Sequence, residues 1–292
     1  MTRAIPEVVT LADGPVQVDL LPSVGARLHR LRAFGHDLLH SPEELDLHRR
    51  EPLRWGGYVM APWCNRIAAH PITVLGRLVD LPANFTDRTA IHGQVFATAW
   101  DRVGDGLFRV EGGGDGWPWR YECTFEVAIQ DTVVRLELGL TNRDTSPMPA
   151  GVGLHPWFRR PSGLRINASE VIRSNLDPGA SPEAVSGDHD RRSLGQMPED
   201  FDATWCGPGE PAVELAWREQ AVMAALRARA DGGVWIAAAS PAAVDAMAVE
   251  PQTHAPFGLR RLIDGDIGGM LALAPQATLR LEVELTVAEM EA

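Results

Sequence analysis

The sequence predicts an all-β protein, a large antiparallel β-sandwich with few, short helices. Three observations point there. Apolar and polar residues alternate with period two in segment after segment; the 22 prolines and 28 glycines fall mainly between those segments; and helical start signals are scarce. In VQVDL, positions 16–20, alternation puts Val16, Val18 and Leu20 on one face. The stretch 41–50, SPEELDLHRR, is the best helix candidate, with Ser41 as N-cap and Pro and acids in the first turn. GGGDG at 112–116 and the polar stretch 174–200 read as loops. VVRLELGL turns Val134, Leu136, Leu138 and Leu140 inward, with Arg135 and Glu137 outward. The stretch 210–230 holds helix formers, but VELAW and AVMAALRARA suit buried strands better in an otherwise β chain. TLRLEVELTV alternates Leu279, Leu281, Val283, Leu285 and Val287 against Arg280, Glu282 and Glu284. Neither a fixed-period repeat nor a linker divides the chain, so residues 1–292 are read as one sandwich domain.

Composition narrows the function. The 292 residues are 45% hydrophobic, enough for a sizeable core, yet no stretch approaches the ~20 uninterrupted apolar residues of a membrane helix. The start, MTRAIPEVVTLADGPVQVDL, lacks a basic segment followed by an apolar one, so no secretory signal is read and cytoplasmic residence is expected. Net charge is −12, and all 27 basic residues are scattered Arg, with no Lys. Neither a nucleic acid nor an anionic membrane is an expected partner. Cys64, Cys123 and Cys206 are odd in number and far apart, which suggests neither a disulfide framework nor a CxxC metal site.

Four segments place chemically capable side chains among apolar neighbours: Asn65-Arg66 in APWCNRI, His92-Gly93 in AIHGQVF, His155 to Phe158 in GVGLHPWF, and Glu250 with Gln252 in AVEPQT. Polar groups in such surroundings belong at strand ends or beside a cavity, where they find partners. Singly they are ordinary: a lone His is more often a satisfied structural residue, and a lone Arg an ion-pair member. Glu250 carries more weight, because a Glu in a buried strand is rare and usually paired.

In this order and with these neighbours, the segments resemble the aldose 1-epimerases, the galactose mutarotases. That family reads N-R-I, then H-G about two dozen residues on, H-P-[YW]-F after a strand ending in T-N, and a late E-x-Q. Phe201-Asp202 in EDFDATWCG is similar to the family's short Asp segment. The resemblance runs from about residue 14 to 287 and implies the family's mutarotase-like supersandwich fold and a monosaccharide substrate, with no cofactor and no metal. It further implies Glu250 as general base at the anomeric hydroxyl and His155 as general acid at the ring oxygen. Arg66, His92, Asp202 and Gln252 would contact sugar hydroxyls, and Asn65 would orient Arg66 or touch a hydroxyl. In place of the family's T-T-Q-P-like Gln stands AAASPAA, with Ser240 at that position, and the downstream P-D-A pattern is blurred into APFG at 255–258.

The chemistry suits these groups. Interconverting anomers requires opening the ring by deprotonating the anomeric hydroxyl and protonating the ring oxygen, then closing it on the other aldehyde face. An acid and a base facing each other across a sugar-sized gap are expected, with the His155 pKa held above that of Glu250 by mutual attraction. An indole, Trp63 or Trp157, is expected as platform for the sugar's apolar face. Two alternatives share the fold: a hexose-6-phosphate mutarotase, using Arg54, Arg159 and Arg160 at the pocket mouth, and a sugar-binding protein without catalysis. A metalloenzyme with His92, His155 and Glu250 as ligands is disfavoured by the missing HxH spacing.

Overall fold

The computed structural model describes residues 6–68 and 70–290. Its strands form because side chains alternate between an apolar interior and water. In Trp117–Gln130, a 14-residue strand, Trp117, Trp119, Tyr121, Cys123, Phe125 and Val127 are buried. Val133–Asn142 and Thr278–Glu289 repeat the pattern with the residues expected from sequence. Each fully buried Leu in these strands is worth about 1.5–3 kcal/mol relative to exposure.

The strands build two large sheets. One has eleven strands. Its hydrogen-bonded path runs Val9–Asp13, Val16–Leu21, Arg27–Ala33, Gly57–Met60, Gly153–Arg159, Ala246–Gln252, Trp235–Ser240, Phe201–Cys206, Glu170–Ile172 and Glu183–Ala184, with His36–Asp37 beside Arg27–Ala33. The other has eight, in the order Asp101–Arg102, Leu107–Gly114, Trp117–Gln130, Val133–Asn142, Thr278–Glu289, Val222–Ala230, Val213–Trp217 and Gly163–Ile166. The ladders are antiparallel. The main apolar cluster joins the two sheets, with Val59, Leu154, Phe158 and Val249 from the first and Leu138, Leu140, Leu279 and Leu281 from the second.

The central strands of the larger sheet are buried on both faces. Gly57–Met60 and Ala246–Gln252 contain no exposed residue. Alternate residues enter the core, while the others, Tyr58, His155, Glu250 and Gln252 among them, lie on the opposite face under the long connections. Two-sided burial is the reason polar residues interrupt these apolar strands.

Strands Val213–Trp217 and Val222–Ala230 fall where expected, and most of 174–200 is irregular. Three local readings change. The helix expected over 41–50 is a single turn, Leu47–Arg50, because Ser41 donates its hydroxyl to the His29 carbonyl instead of capping. GGGDG is mostly strand: pairing continues to Gly114 opposite Trp117, and only Asp115 and Gly116 turn. Gly112 is required there, since a Cβ would collide with the Tyr121 ring. A helix, Gly258–Asp264, begins at the last residue of APFG; its N-cap is Phe257 in a left-handed conformation, so no capping signal announced it. Among the described residues, no helix is long and apolar enough to cross a membrane.

Candidate active site

Register assembles the site across neighbouring strands. Tyr58 on Gly57–Met60 pairs with His155 on Gly153–Arg159. The next ladder, Gly153 with Gln252 and Trp157 with Ala248, sets His155 across from Glu250. Glu250 in turn pairs with Ala237, and Asp202 with Ala239. These side chains share one face and floor a cavity of about 290 Å³, whose lining includes Asn65, Arg66, His92, His155, Trp157, Asp202 and Glu250. A cavity of that size suits a small ligand.

At the floor, His155 Nε2 lies 3.2 Å from Glu250 Oε1, and both side chains are almost fully buried. The contact makes acid and base neighbours on one wall rather than groups opposed across a gap. Glu250 Oε2 and His155 Nδ1 have no hydrogen-bond partner among the described residues. The expected pKa order is reversed. Burial pushes the Glu250 carboxyl up to about 8, with Asp202 adding to the effect and Arg66 opposing it. Burial likewise pushes His155 down to about 3, assisted by the charge of Arg27. Desolvation, which penalises either charged form, outweighs the attraction between a carboxylate and an imidazolium. Over the neutral range the pair therefore holds one proton, on the Glu250 side.

Loop geometry places the other groups. Asn65 and His92 both adopt positive φ, 52° and 62°. Gly93 follows His92 because this turn lies against Ala61, whose carbonyl a Cβ would strike. The Asn65 amide N–H donates to His92 Nδ1 at 3.2 Å, and Asn65 Oδ1 accepts from the Arg66 amide at 2.9 Å and from its Nη1 at 3.4 Å. Asn65 thus orients both neighbours. Arg66 donates through Nε to Asp87 at 2.8 Å, approaches Asp202 at 3.9 Å and lies over the Phe85 ring. The buried Asn175 donates to Asp202 and accepts from Thr204 Oγ1 at 2.7 Å. Burial raises the Asp202 carboxyl against the opposing pull of Arg66 and Asn175. Burial acts on Asp87 in the same direction, but Thr89 and Arg66 outweigh it and hold that carboxyl low.

Trp157 forms part of the wall and is pinned by Nε1 donation to the Leu53 carbonyl at 2.9 Å. Trp63 is core, tilted against Trp117, and does not reach the cavity. Gln252 also lies outside the lining. It sits two residues beyond Glu250 on the same face, fully buried opposite Gly153, and its amide has no partner among the described residues. Ser240 turns away and donates to the Pro198 carbonyl, leaving Ala239 and Pro241 as the wall there. Arg54, Arg159 and Arg160 are absent from the cavity lining. Arg54 pairs with Glu51, and Arg160 is held by the carbonyls of Pro241 and Val244.

His92, His155 and Glu250 bring ligand atoms within 4.8 Å of one another, a spacing a metal could bridge. The donor chemistry does not fit. His92 Nδ1 accepts the Asn65 amide, so the neutral ring carries its proton on Nε2 and has no lone pair to offer an ion.

Sequence reasoning missed Tyr58, Phe85, Asp87, Asn175 and Asp200. Asp87 had a usable signal, an Asp two residues before Thr89, whose amide and hydroxyl both donate to it. Asn175 stands in a polar loop with nothing local to distinguish it.

Residues 7–226 match the family model described as aldose 1-epimerase. The chain is 29% identical over 161 residues to the uncharacterized protein YihR of Escherichia coli K12, a match that covers 52% of this chain and half the length of that protein. It is 24% identical over 247 residues to the uncharacterized protein YphB of the same strain, covering 79% of this chain and 83% of that one. Two solved structures share the fold. A galactose mutarotase-like protein from Clostridium acetobutylicum superposes with a TM-score of 0.83 at 14% identity, over 98% of this chain and 96% of that one. Galactose 1-epimerase from Lactobacillus acidophilus NCFM does so with a TM-score of 0.76 at 15% identity, over 97% and 95%. With most of its length matched by the family model, the chain belongs to the aldose 1-epimerase family.

Proposed function

We propose that the protein is a mutarotase for an uncharged aldose and that Glu250 and His155 carry out the proton transfers. The observation that carries this reading is the buried His155–Glu250 contact at 3.2 Å. The two sugar oxygens that exchange protons, the anomeric hydroxyl and the ring oxygen, are both bonded to the anomeric carbon, so neighbouring groups serve them. When the sugar's hydroxyls bring polar partners into the floor, the proton moves from Glu250 to His155 along their hydrogen bond. Glu250, now a carboxylate, removes the anomeric proton. His155, now an imidazolium, protonates the ring oxygen as the bond to the anomeric carbon breaks. The aldehyde rotates, the same transfers run backwards on its other face, and the pair returns to its starting state. Sugar binding alone would not require this pair.

Arg66 and Asp202 hold hydroxyls remote from the anomeric carbon, with Asn65 and His92 supporting them and Trp157 packing on the ring. The lining holds one guanidinium, Arg66, against Asp200, Asp202 and Glu250, and Asp87 already engages that guanidinium. This balance favours an uncharged sugar over a phosphorylated one.

Polarimetry on freshly dissolved α-anomers of several aldoses tests the reading; faster relaxation is expected for free sugars and not for their 6-phosphates. If none of them relaxes faster with enzyme, the proposal fails. Activity should hold across the neutral range and fall above about pH 8, where the pair loses its shared proton. Asp202→Ala should raise KM about tenfold or more while leaving kcat within a few-fold. Initial-rate polarimetry across sugar concentrations separates the two constants.

A further inference from the structure

A row of side chains crosses four neighbouring strands beneath the cavity, and its far end is a buried cation. Arg27 stands on Arg27–Ala33, whose Leu28 pairs with Gly57, so that Arg27 lies opposite Tyr58. Its guanidinium carbon sits 4.8 Å from the centroid of the Tyr58 ring. Tyr58 stacks on His155 with centroids 4.5 Å apart and planes 19° from parallel. His155 then meets Glu250.

Arg27 has no exposed surface, and among the described residues no carboxylate pairs with it. Its Nη1 and Nη2 donate to three backbone carbonyls, Pro52, Trp55 and Phe96, while its Nε has no partner among the described residues. Such a group costs stability, since a buried charge is usually paired with an opposite one. Carbonyls and an aromatic face stabilise the cation but do not neutralise it, so its field reaches outward. Burial lowers its pKa only to about 10, which leaves it charged at neutral pH.

We propose that Arg27 is a positioning residue for the proton of the active pair: its fixed positive charge, set behind Tyr58, disfavours proton residence on His155 and keeps the proton on Glu250 until a sugar enters. This inference rests on the acid–base reading of His155 and Glu250. A unit charge two strand spacings away, acting through an effective dielectric of about 20, shifts a titration by about one pH unit. The other charged or titratable groups facing His155 are Glu250, His92 and Tyr58, with Arg66 and Asp202 across the cavity. His48, hydrogen-bonded to His29 at 2.9 Å, is buried near Arg27 and kept neutral by burial first and by that charge second.

The test follows the His155 ring by NMR in protein labelled at histidine, with the signal assigned from its loss in His155→Asn. In the wild type, His155 should be neutral at pH 7; an imidazolium there overturns the proposal even if no Arg27 variant folds. Arg27→Gln keeps donors for the carbonyls without the charge, and should raise the His155 titration by about one unit and carry the basic limb of kcat/KM to higher pH. Arg27→Lys should restore both toward wild type. A merely structural role would lower stability in both variants and leave the His155 titration in place, and that result overturns the proposal. The titration is read without sugar, so a failure of the acid–base reading would appear separately, as full activity in His155→Asn.

Discussion

Glu250→Gln is expected to lower kcat/KM by about 10²–10⁴-fold, the range that one acid–base group contributes. The carboxamide has nearly the same volume and can still accept a hydrogen bond from the sugar, so the cavity and KM should change little. It can neither take the anomeric proton nor store the pair's proton between turnovers. Burial already disfavours the Glu250 anion, so the neutral amide should fold at least as well as the wild type, and thermal unfolding will check this. A folded variant that keeps relaxation rates within about threefold of wild type would show that the base lies elsewhere.

His155→Asn should produce a comparable loss, concentrated in kcat, and it should also invert the pH dependence. In the wild type the active form holds one proton on the pair, so activity falls when that proton leaves near pH 8. Without the imidazole, Glu250 must be ionised to act at all, and residual activity should rise through the same range in which the wild type declines. Polarimetric rates from pH 6 to 9.5, with the small-molecule background subtracted, distinguish the two slopes. A variant altered only in KM, with a wild-type pH profile, would remove His155 from the proton path and leave His92 as the next candidate acid.

The reversed order of the two pKa values shows where reading the sequence alone stops. Attraction between a carboxylate and an imidazolium is the reasonable expectation when only residue types are known. It ranks below desolvation here because both side chains lie almost fully buried at the bottom of a cavity. Gln252 shows the same limit at shorter range. It shares strand and face with Glu250, as E-x-Q implies, yet it is fully buried and lies outside the lining.

Local pattern was sufficient wherever a single strand's surroundings decide the outcome. Val134, Leu136, Leu138 and Leu140, and Leu279 through Val287, declared their buried faces by alternation, because a pleated strand has only two faces. It failed where a partner outside the segment decides: Gly112 is strand because it pairs with Tyr121, and Ser41 caps no helix because the His29 carbonyl takes its hydroxyl. The sequence by itself determined the sandwich and pointed to seven residues that line the cavity: Asn65, Arg66, His92, His155 and Glu250 because their polarity stands out against apolar neighbours, Asp202 through the family resemblance, and Trp157 as an aromatic platform. Only the tertiary structure decided that His155 and Glu250 touch, that Asn175 and Asp87 hold Asp202 and Arg66, and that Arg27 stands behind Tyr58. The widest of those contacts, His155 to Glu250, joins residues 95 positions apart, and it arises from register between strands, which no local pattern encodes.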